Sequence, residues 1–179
     1  MKLLKKCCLF LLLVQMSLPA LAANRNTVQA FKQLSGLVGD WSGKSASGRE
    51  HKVNYRLSAG GSVLVETWSL SSGRESMTLY HLNGESLMAT HYCPQGNQPR
   101  LVLMPSDAKM HFAFLDGTHL QVAGKAHQYS FWLQIDDDDH FQRNEIYVEN
   151  GTVVENAPTE DPSETFRYTR IKAPVVLTK

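Results

Sequence analysis

Cysteine is scarce in this chain, with three in 179 residues. Cys7 and Cys8 lie in an apolar stretch near the start, and Cys93 is the only cysteine beyond it. One cysteine cannot form an internal disulfide, so core packing has to stabilise the domain even in an oxidising compartment. The paired Cys-x-x-Cys spacing of many zinc sites and dithiol redox centres is excluded as well.

An excess of either charge is also missing. The sequence has 18 Lys and Arg residues against 17 Asp and Glu residues, and three of the basic residues lie in the first six positions. We therefore expect neither nucleic acid nor an anionic membrane surface as a partner. The sequence contains no Gly-x-Ser-x-Gly elbow, P-loop or dinucleotide-binding glycine pattern, so the commonest signatures of hydrolases and nucleotide-binding enzymes are absent.

The one long apolar run lies at the start of the chain. Met1–Lys6 is basic, Cys7–Leu18 is almost wholly apolar, and Pro19–Ala22 supplies the small residues of a cleavage site. We predict a secretory signal peptide, residues 1–22, followed by a single domain, residues 23–179. Because the run is too short for a membrane anchor, we expect a periplasmic or secreted protein with no membrane insertion after signal cleavage.

The rest of the chain has one helical segment and then the pattern of a β-protein. Val28, Phe31 and Leu34 recur at helical spacing, which predicts a short helix over Thr27–Val38. Beyond it the pattern has period two, with turn signals at regular intervals. The predicted strands are Trp41–Ser45, Lys52–Leu57, Val63–Leu70, Ser76–Leu82, Ser86–Tyr92, Arg100–Met104, Met110–Leu115, His119–Val122, Gln128–Ile135, Phe141–Glu149 and Thr165–Ile171.

Sequential short hairpins favour a sheet that closes on itself, since closure removes exposed strand edges. We predict an all-β fold, an up-and-down antiparallel β-barrel of about ten strands with a short N-terminal helix; an open two-sheet sandwich is the alternative. Asn83-Gly84 and Asp116-Gly117 are predicted hairpin turns with positive φ at the glycine. The acidic run Asp136–Asp139 is predicted to be a solvated turn, because it lacks the glycine and glutamate of an EF-hand.

Gly39-Asp40-Trp41 follows the predicted helix and opens the first strand, and Arg170 ends the last one in Phe166-Arg167-Tyr168-Thr169-Arg170. This arrangement resembles the Gly-x-Trp start and terminal arginine of the lipocalin and calycin barrels. The resemblance implies that Trp41 plugs the closed end of a barrel and that Arg170 lies over its ring.

A wider resemblance covers most of the chain after the leader. Gly61–Thr67, Tyr80–Gly84 and Thr90–Arg100 are similar to segments of a widespread set of uncharacterised bacterial secreted proteins. Those proteins are similar in turn to lipocalin-like and nitrobindin-like barrels. The resemblance implies a barrel fold and little about function, and the chain lacks the His-rich haem signature of a nitrobindin-like protein.

Thr90–Arg100 carries the densest set of chemically active side chains. Pro94 and Pro99 fix the backbone, and we predict that the segment closes one rim of the barrel cavity. His91 and Cys93 share a strand face if the strand continues, so they could ligate a metal together with other side chains of the chain. The candidate metal ligands are His91, Cys93, His127 and His140. A buried cysteine beside a hydrogen-bonded histidine is the alternative, and a Cys93 nucleophile is a weaker one.

A second set of polar side chains lies on strand faces or in the rim segment, where they would contact a small molecule. Glu66 lies on an apolar stripe, so a buried position would require a partner such as Arg100 or His91. We predict ligand contacts from Glu66, His91, Asn97, Gln98, Arg100, His127 and Glu145. The amides of the rim segment could instead bind backbone.

These observations support two classes of function, and a barrel that acts only through its outer surface in an envelope complex is a weaker third. The first is an exported, non-enzymatic barrel that binds a small, partly apolar ligand, as a monomer or dimer and without a cofactor. The alternative is a metal- or haem-binding protein or an enzyme that uses the four candidate metal ligands.

Overall fold

The computed structural model describes residues 18–70, 72–105, 109–152 and 160–172, with side chains from Asn26 onward. Within these residues the chain forms one α-helix, α1, Leu18–Ser35, followed by ten strands. The strands are β1 Gly39–Ser45, β2 Glu50–Ser58, β3 Val63–Ser69, β4 Glu75–Asn83, β5 Ser86–Tyr92, β6 Gln98–Met104, β7 Met110–Thr118, β8 Ala126–Ile135, β9 His140–Glu149 and β10 Phe166–Arg170.

The ten strands form a closed barrel in which each strand pairs antiparallel with its neighbours in the chain, and β1 pairs with β10 to close the sheet. The predicted up-and-down barrel is therefore confirmed, and the sandwich alternative is wrong. Closure leaves each strand paired on both sides, which removes the free edges that invite aggregation. The turns after β2, β4, β6 and β8 lie at one end, called the closed end, and the turns after β1, β3, β5 and β7 lie at the other, called the open end.

Helix α1 covers the closed end. Its residue Leu34 and the following Leu37 are fully buried in the core with Trp41. The indole Nε1 of Trp41 donates to the carbonyl of Leu37 at 2.7 Å. The helix ends at Ser35, close to the predicted end, but it begins at Leu18, before the predicted start at Thr27. Within the described residues, no helix combines the length and apolarity needed to cross a bilayer.

The predicted contact between Trp41 and Arg170 is present. The Arg170 guanidinium carbon lies 4.2 Å from the Trp41 ring centroid, and the two residues are paired across β1 and β10. The same guanidinium donates to the carbonyls of Gly36, Val38 and Asp138. Arg170 therefore ties the end of α1 and the β8–β9 turn to the plug of the barrel.

The barrel interior near the closed end is packed with aromatic rings. The Tyr168 ring stacks on Phe141 with centroids 4.4 Å apart, and Trp41 meets Phe141 edge-on at 4.8 Å. The Tyr168 ring also lies across Gly43, where an added Cβ would be 2.1 Å from a ring carbon. Such close approach requires glycine in β1. This half of the barrel is a filled core rather than a cavity.

Two local predictions are wrong. Asp116-Gly117 is not a turn: both residues belong to β7 and pair with Arg100 and Pro99 of β6. Glycine is needed at position 117 because a Cβ there would lie 2.8 Å from the Cα of Pro99. The predicted strand His119–Val122 is instead the connection between β7 and β8, and it starts with a positive φ of 56° at His119.

The other turn predictions agree with the structure. Gly84 has a φ of 58°, and the pairing of Asn83 with Ser86 leaves a two-residue turn between β4 and β5. Asp136–Asp139 connects β8 and β9 as predicted. Most of the predicted leader, residues 1–17, lies outside the described residues.

Candidate functional site

A cavity of about 290 Å³ opens at the open end of the barrel. Its volume is close to the lower bound of the roughly 300–1,000 Å³ usual for ligand pockets. Three residues of the predicted rim segment, Cys93, Pro94 and Gln95, lie at its edge. The lining also includes the buried residues Trp68, His91 and Arg143, the half-buried Glu145 and the exposed Tyr147.

Arg143 and Glu66 form a buried ion pair next to this cavity. Nη1 of Arg143 lies 2.7 Å from Oε2 of Glu66, and the two side chains are 1% and 0% exposed. Tyr80 donates its hydroxyl proton to the same carboxylate oxygen at 2.5 Å, and Trp68 donates its indole N–H to the other oxygen. These hydrogen bonds to both carboxylate oxygens offset the cost of burying the charge of Glu66.

A second carboxylate meets Arg143 on its cavity side. Nε of Arg143 donates to Oε1 of Glu145 at 2.7 Å, and the Tyr147 hydroxyl donates to Oε2 of Glu145 at 3.2 Å. Tyr147 also lies 3.5 Å from Nε2 of His91, whose Nδ1 is 3.0 Å from the Thr78 hydroxyl. Arg143, Glu145, Tyr147 and His91 thus form one connected polar network.

Aromatic rings enclose the Arg143 guanidinium from two sides. Its central carbon lies 4.1 Å from the Phe131 ring centroid and 5.1 Å from that of Trp68. A cation over aromatic faces is stabilised by the ring quadrupole, more so when water is excluded. This packing fixes the guanidinium plane, so its N–H groups have defined directions.

Four buried polar atoms of this region have no hydrogen-bond partner among the described residues. They are Nη2 of Arg143, Nδ1 of His51 and the hydroxyl oxygens of Tyr55 and Tyr168. Both tyrosines are electrostatically coupled to the Glu66–Arg143 pair. A buried donor without a partner costs about 1–3 kcal/mol. Arg143 and His51 both line the cavity, and the guanidinium Nη2 is the one of these two atoms that is always a donor.

The protonation of the site follows from burial. Burial lowers the pKa of His91, with Glu145 opposing and Arg143 reinforcing that shift. Burial likewise lowers the pKa of His51, so both imidazoles are neutral near pH 7. Burial disfavours the charge on Arg143, but Glu66 and then Tyr80 and Glu145 keep the pKa of Arg143 well above its usual value. Burial raises the pKa of the Cys93 thiol, which disfavours the thiolate that a nucleophile or metal ligand requires.

The structure brings three of the predicted ligand contacts together. Glu66, His91 and Glu145 all belong to the network around Arg143. The pairing proposed between Glu66 and Arg100 is wrong. Arg100 forms a bidentate ion pair with Asp116 on the exposed barrel surface. Neighbouring residues of β6 face opposite sides of the sheet, so Arg100 is exposed while Leu101 is buried.

The side chains of the other predicted contacts form hydrogen bonds with strands and connections of the barrel itself. Nδ2 of Asn97 donates to the carbonyl of Ala126 at 2.8 Å, which attaches the β5–β6 turn to β8. Gln98 accepts a hydrogen bond from Thr118 at the surface. His127 lies 2.9 Å from Oδ1 of Asn150, in the connection that follows β9. For Asn97, the structure favours the alternative in which an amide of the rim segment binds backbone.

The four candidate metal ligands do not form one group. His91 and Cys93 share the open-end cavity, whereas His127 is engaged by Asn150. His140 lies at the closed end, where its Nδ1 contacts Asp137 at 2.9 Å. Within residues 18–70, 72–105, 109–152 and 160–172, no cluster of three or more His, Cys, Asp or Glu side chains is placed to hold a metal ion.

Haem does not fit these residues either. The cavity is lined by two histidines. Both ring nitrogens of His91 face neighbours, Thr78 and Tyr147, and the His51 ring is stacked on Phe166. A cavity of about 290 Å³ is also of the size that holds one small ligand rather than a macrocycle.

Arg143 is the central residue of the site, and it was absent from the predicted set. A signal for it exists in the sequence. Phe141, Arg143, Glu145 and Tyr147 alternate along β9, so period two places them on one face. The burial of Phe141 and Arg143 confirms that this face is the interior.

A larger groove, about 610 Å³, lies at the closed end between α1 and the strands. Of its charged lining residues, Lys32, Asp137 and Asp138 are exposed, and Lys109 is half-buried over the Trp132 ring. The guanidinium of Arg170 already donates to three carbonyls. Among the described residues, the groove therefore has no buried, unpartnered donor like that of the smaller cavity, and the smaller cavity is the better candidate site.

Comparisons with known proteins add little to this geometry. No protein-family model matches the sequence, and no curated protein matches it. Among solved structures, the crystal structure of Rv2717c from M. tuberculosis is similar, with a TM-score of 0.46 and 13% identity, over 80% of this chain and 98% of that one. A TM-score and a sequence identity this low do not support any inference about function.

Proposed function

We propose that this protein is an exported barrel that binds one small, partly apolar molecule in the open-end cavity. The observation that carries the proposal is the cavity-lining Arg143, whose Nη2 is buried and has no partner in the described part of the chain. A small molecule with a hydrogen-bond acceptor would satisfy that donor, and aromatic walls would hold its apolar part. Export is supported by the basic start, apolar run and small residues of the first 22 positions.

The interior arrangement supports binding more than catalysis. The Cys93 thiol has a raised pKa, and His91 is held between Thr78 and Tyr147. A nucleophile needs a neighbouring base within hydrogen-bond reach, and no such contact joins Cys93 to His91 in the described structure. We therefore infer a non-enzymatic binding protein without a cofactor, acting as a monomer or dimer.

Titration of single-ring fragments against the purified protein tests this function. Ser76 is buried and lines the open-end cavity, so Ser76→Phe should fill it and abolish binding of any fragment that the wild type binds. Gln29→Phe is the matched control, because Gln29 is exposed and lines the closed-end groove. Loss of binding in Gln29→Phe instead, or a Soret band or stoichiometric metal in the purified protein, would contradict the proposal.

A further inference from the structure

We propose that the open-end cavity recognises an uncharged ring that contains a cis-amide, as in a lactam or a cyclic imide. The amide oxygen would accept from Nη2 of Arg143, and the amide N–H would donate to the carboxylate of Glu145. This inference rests on the proposed ligand-binding function and names the chemical class of the ligand.

The hydrogen-bonding pattern of Arg143 and Glu145 carries the inference. In a planar guanidinium, Nε and Nη2 present their N–H groups along one edge. Glu145 occupies the Nε end of that edge with Oε1, at 2.7 Å, but it does not take the Nη2 end, because Oε2 accepts from Tyr147 at 3.2 Å. A free N–H donor therefore stands beside a carboxylate acceptor, and a cis-amide offers the complementary acceptor and donor on adjacent atoms.

The charges around the cavity favour a neutral ligand. Arg143 already faces two carboxylates, Glu66 and Glu145. An anionic ligand would bring a third negative charge to one buried cation, and burial of an unbalanced charge is costly. At the rim, Arg49 is paired with Glu164. Arg74 is exposed and donates to Ser72, so an anion beside it would stay solvated.

The walls of the cavity favour a flat ligand. His51 and Phe166 are stacked with centroids 4.3 Å apart, and Trp68 lies 5.2 Å from His51. All three residues line the cavity. Flat aromatic faces contact a planar ring over a large area and tolerate polar groups at its edge.

Calorimetric titration with three single-ring probes tests the ligand class. Uracil presents a neutral cis-amide, benzoate a carboxylate and benzamidine a cation. We expect uracil to bind the wild-type protein at least about tenfold more tightly than either charged ring. Glu145→Gln keeps the size of the side chain but removes the charge of the acceptor, so it should weaken uracil binding about tenfold and reduce the preference over benzoate. Glu50→Gln, at an exposed salt bridge with Lys44 near the open end, should change neither value.

The outcomes separate this inference from the function on which it rests. Tightest binding by benzoate or benzamidine, or unchanged uracil affinity in Glu145→Gln, would show that the ligand class is wrong while the cavity still binds ligands. If neither these probes nor the ring fragments of the Ser76→Phe experiment bind the wild type, the proposed function itself fails.

Discussion

Nη1 of Arg143 on β9 and Oε2 of Glu66 on β3 lie 2.7 Å apart inside the barrel, joining residues 77 positions apart in the sequence. Both side chains are buried, and Arg143 also lines the open-end cavity. Arg143 therefore belongs both to the interior and to the lining of the open-end cavity, and its Nη2 has no hydrogen-bond partner among the described residues.

Removal of Arg143 should be far more damaging than removal of a surface arginine with an equally well-formed pair. Arg143→Met leaves Glu66 buried without its cation, which should lower the free energy of unfolding by roughly 3–5 kcal/mol. Arg100→Met breaks the exposed pair with Asp116 and should leave the denaturation midpoint almost unchanged. Urea denaturation of both variants measures the difference, and similar losses in both would contradict it.

Arg170 should stabilise the closed end without affecting ligand binding. Arg170→Ala removes the contact with Trp41 and three hydrogen bonds to carbonyls. The cation–aromatic contact alone contributes about 0.5–2 kcal/mol, so the melting temperature should fall clearly. Arg167→Ala, an exposed residue of the same strand, is the control. Loss of affinity for a cavity ligand in Arg170→Ala would show that the two ends are coupled, against this prediction.

Gly43 and Tyr168 should show strong energetic coupling. Gly43→Ala places a methyl group inside the Tyr168 ring position, and overpacking of this kind costs roughly 1–3 kcal/mol. Tyr168→Leu removes the ring and makes room, so the double variant should be more stable than the sum of the two single losses implies. A double-mutant cycle by chemical denaturation measures the coupling, and additive losses would refute the contact.

Acid should destabilise the fold through His91. Burial lowers its pKa in the folded protein, while the unfolded chain gains a proton near pH ~6.5. The unfolded state thus binds more protons as the pH falls below that value, and stability decreases until the folded pKa is reached. His91→Gln should flatten this decrease, by up to about 1.4 kcal/mol per pH unit. The pKa of His51 is lowered as well, so some decrease of stability with acid should remain in His91→Gln. An unchanged dependence of stability on pH in His91→Gln would contradict the prediction.

The barrel itself could be predicted from the sequence, because strand period and turn residues are local signals. All ten strands coincide with predicted ones, within a few residues at their ends. Two local predictions failed, at Gly117 and at His119, and the first has a physical cause in the structure. Gly117 is glycine because the backbone of Pro99 on the neighbouring strand lies too close for a side chain. Sequence alone does not distinguish that requirement from the glycine of a turn.

The site could be predicted only in part. The burial of Glu66 and His91 follows from the apolar residues of their strands. Which side chains they contact depends on how the strands are aligned in the barrel. Arg100 and Arg143 are both strand arginines, and alternation places Arg143 inside with Phe141 and Arg100 outside next to Leu101. The many polar residues of the rim segment favoured Arg100 as the partner of Glu66, whereas the actual partner, Arg143, lies 77 positions away from Glu66.

The NMR signals of the three tryptophan indole N–H groups can show where a ligand binds. Trp68 lines the open-end cavity, and Trp41 is buried at the closed end. Substitution of each tryptophan by phenylalanine assigns the nitrogen–proton NMR signals of the indoles. Titration with a bound ring fragment should then shift the Trp68 signal and leave the Trp41 signal in place. A shift of Trp41 without any change at Trp68 would contradict ligand binding in the cavity beside Arg143.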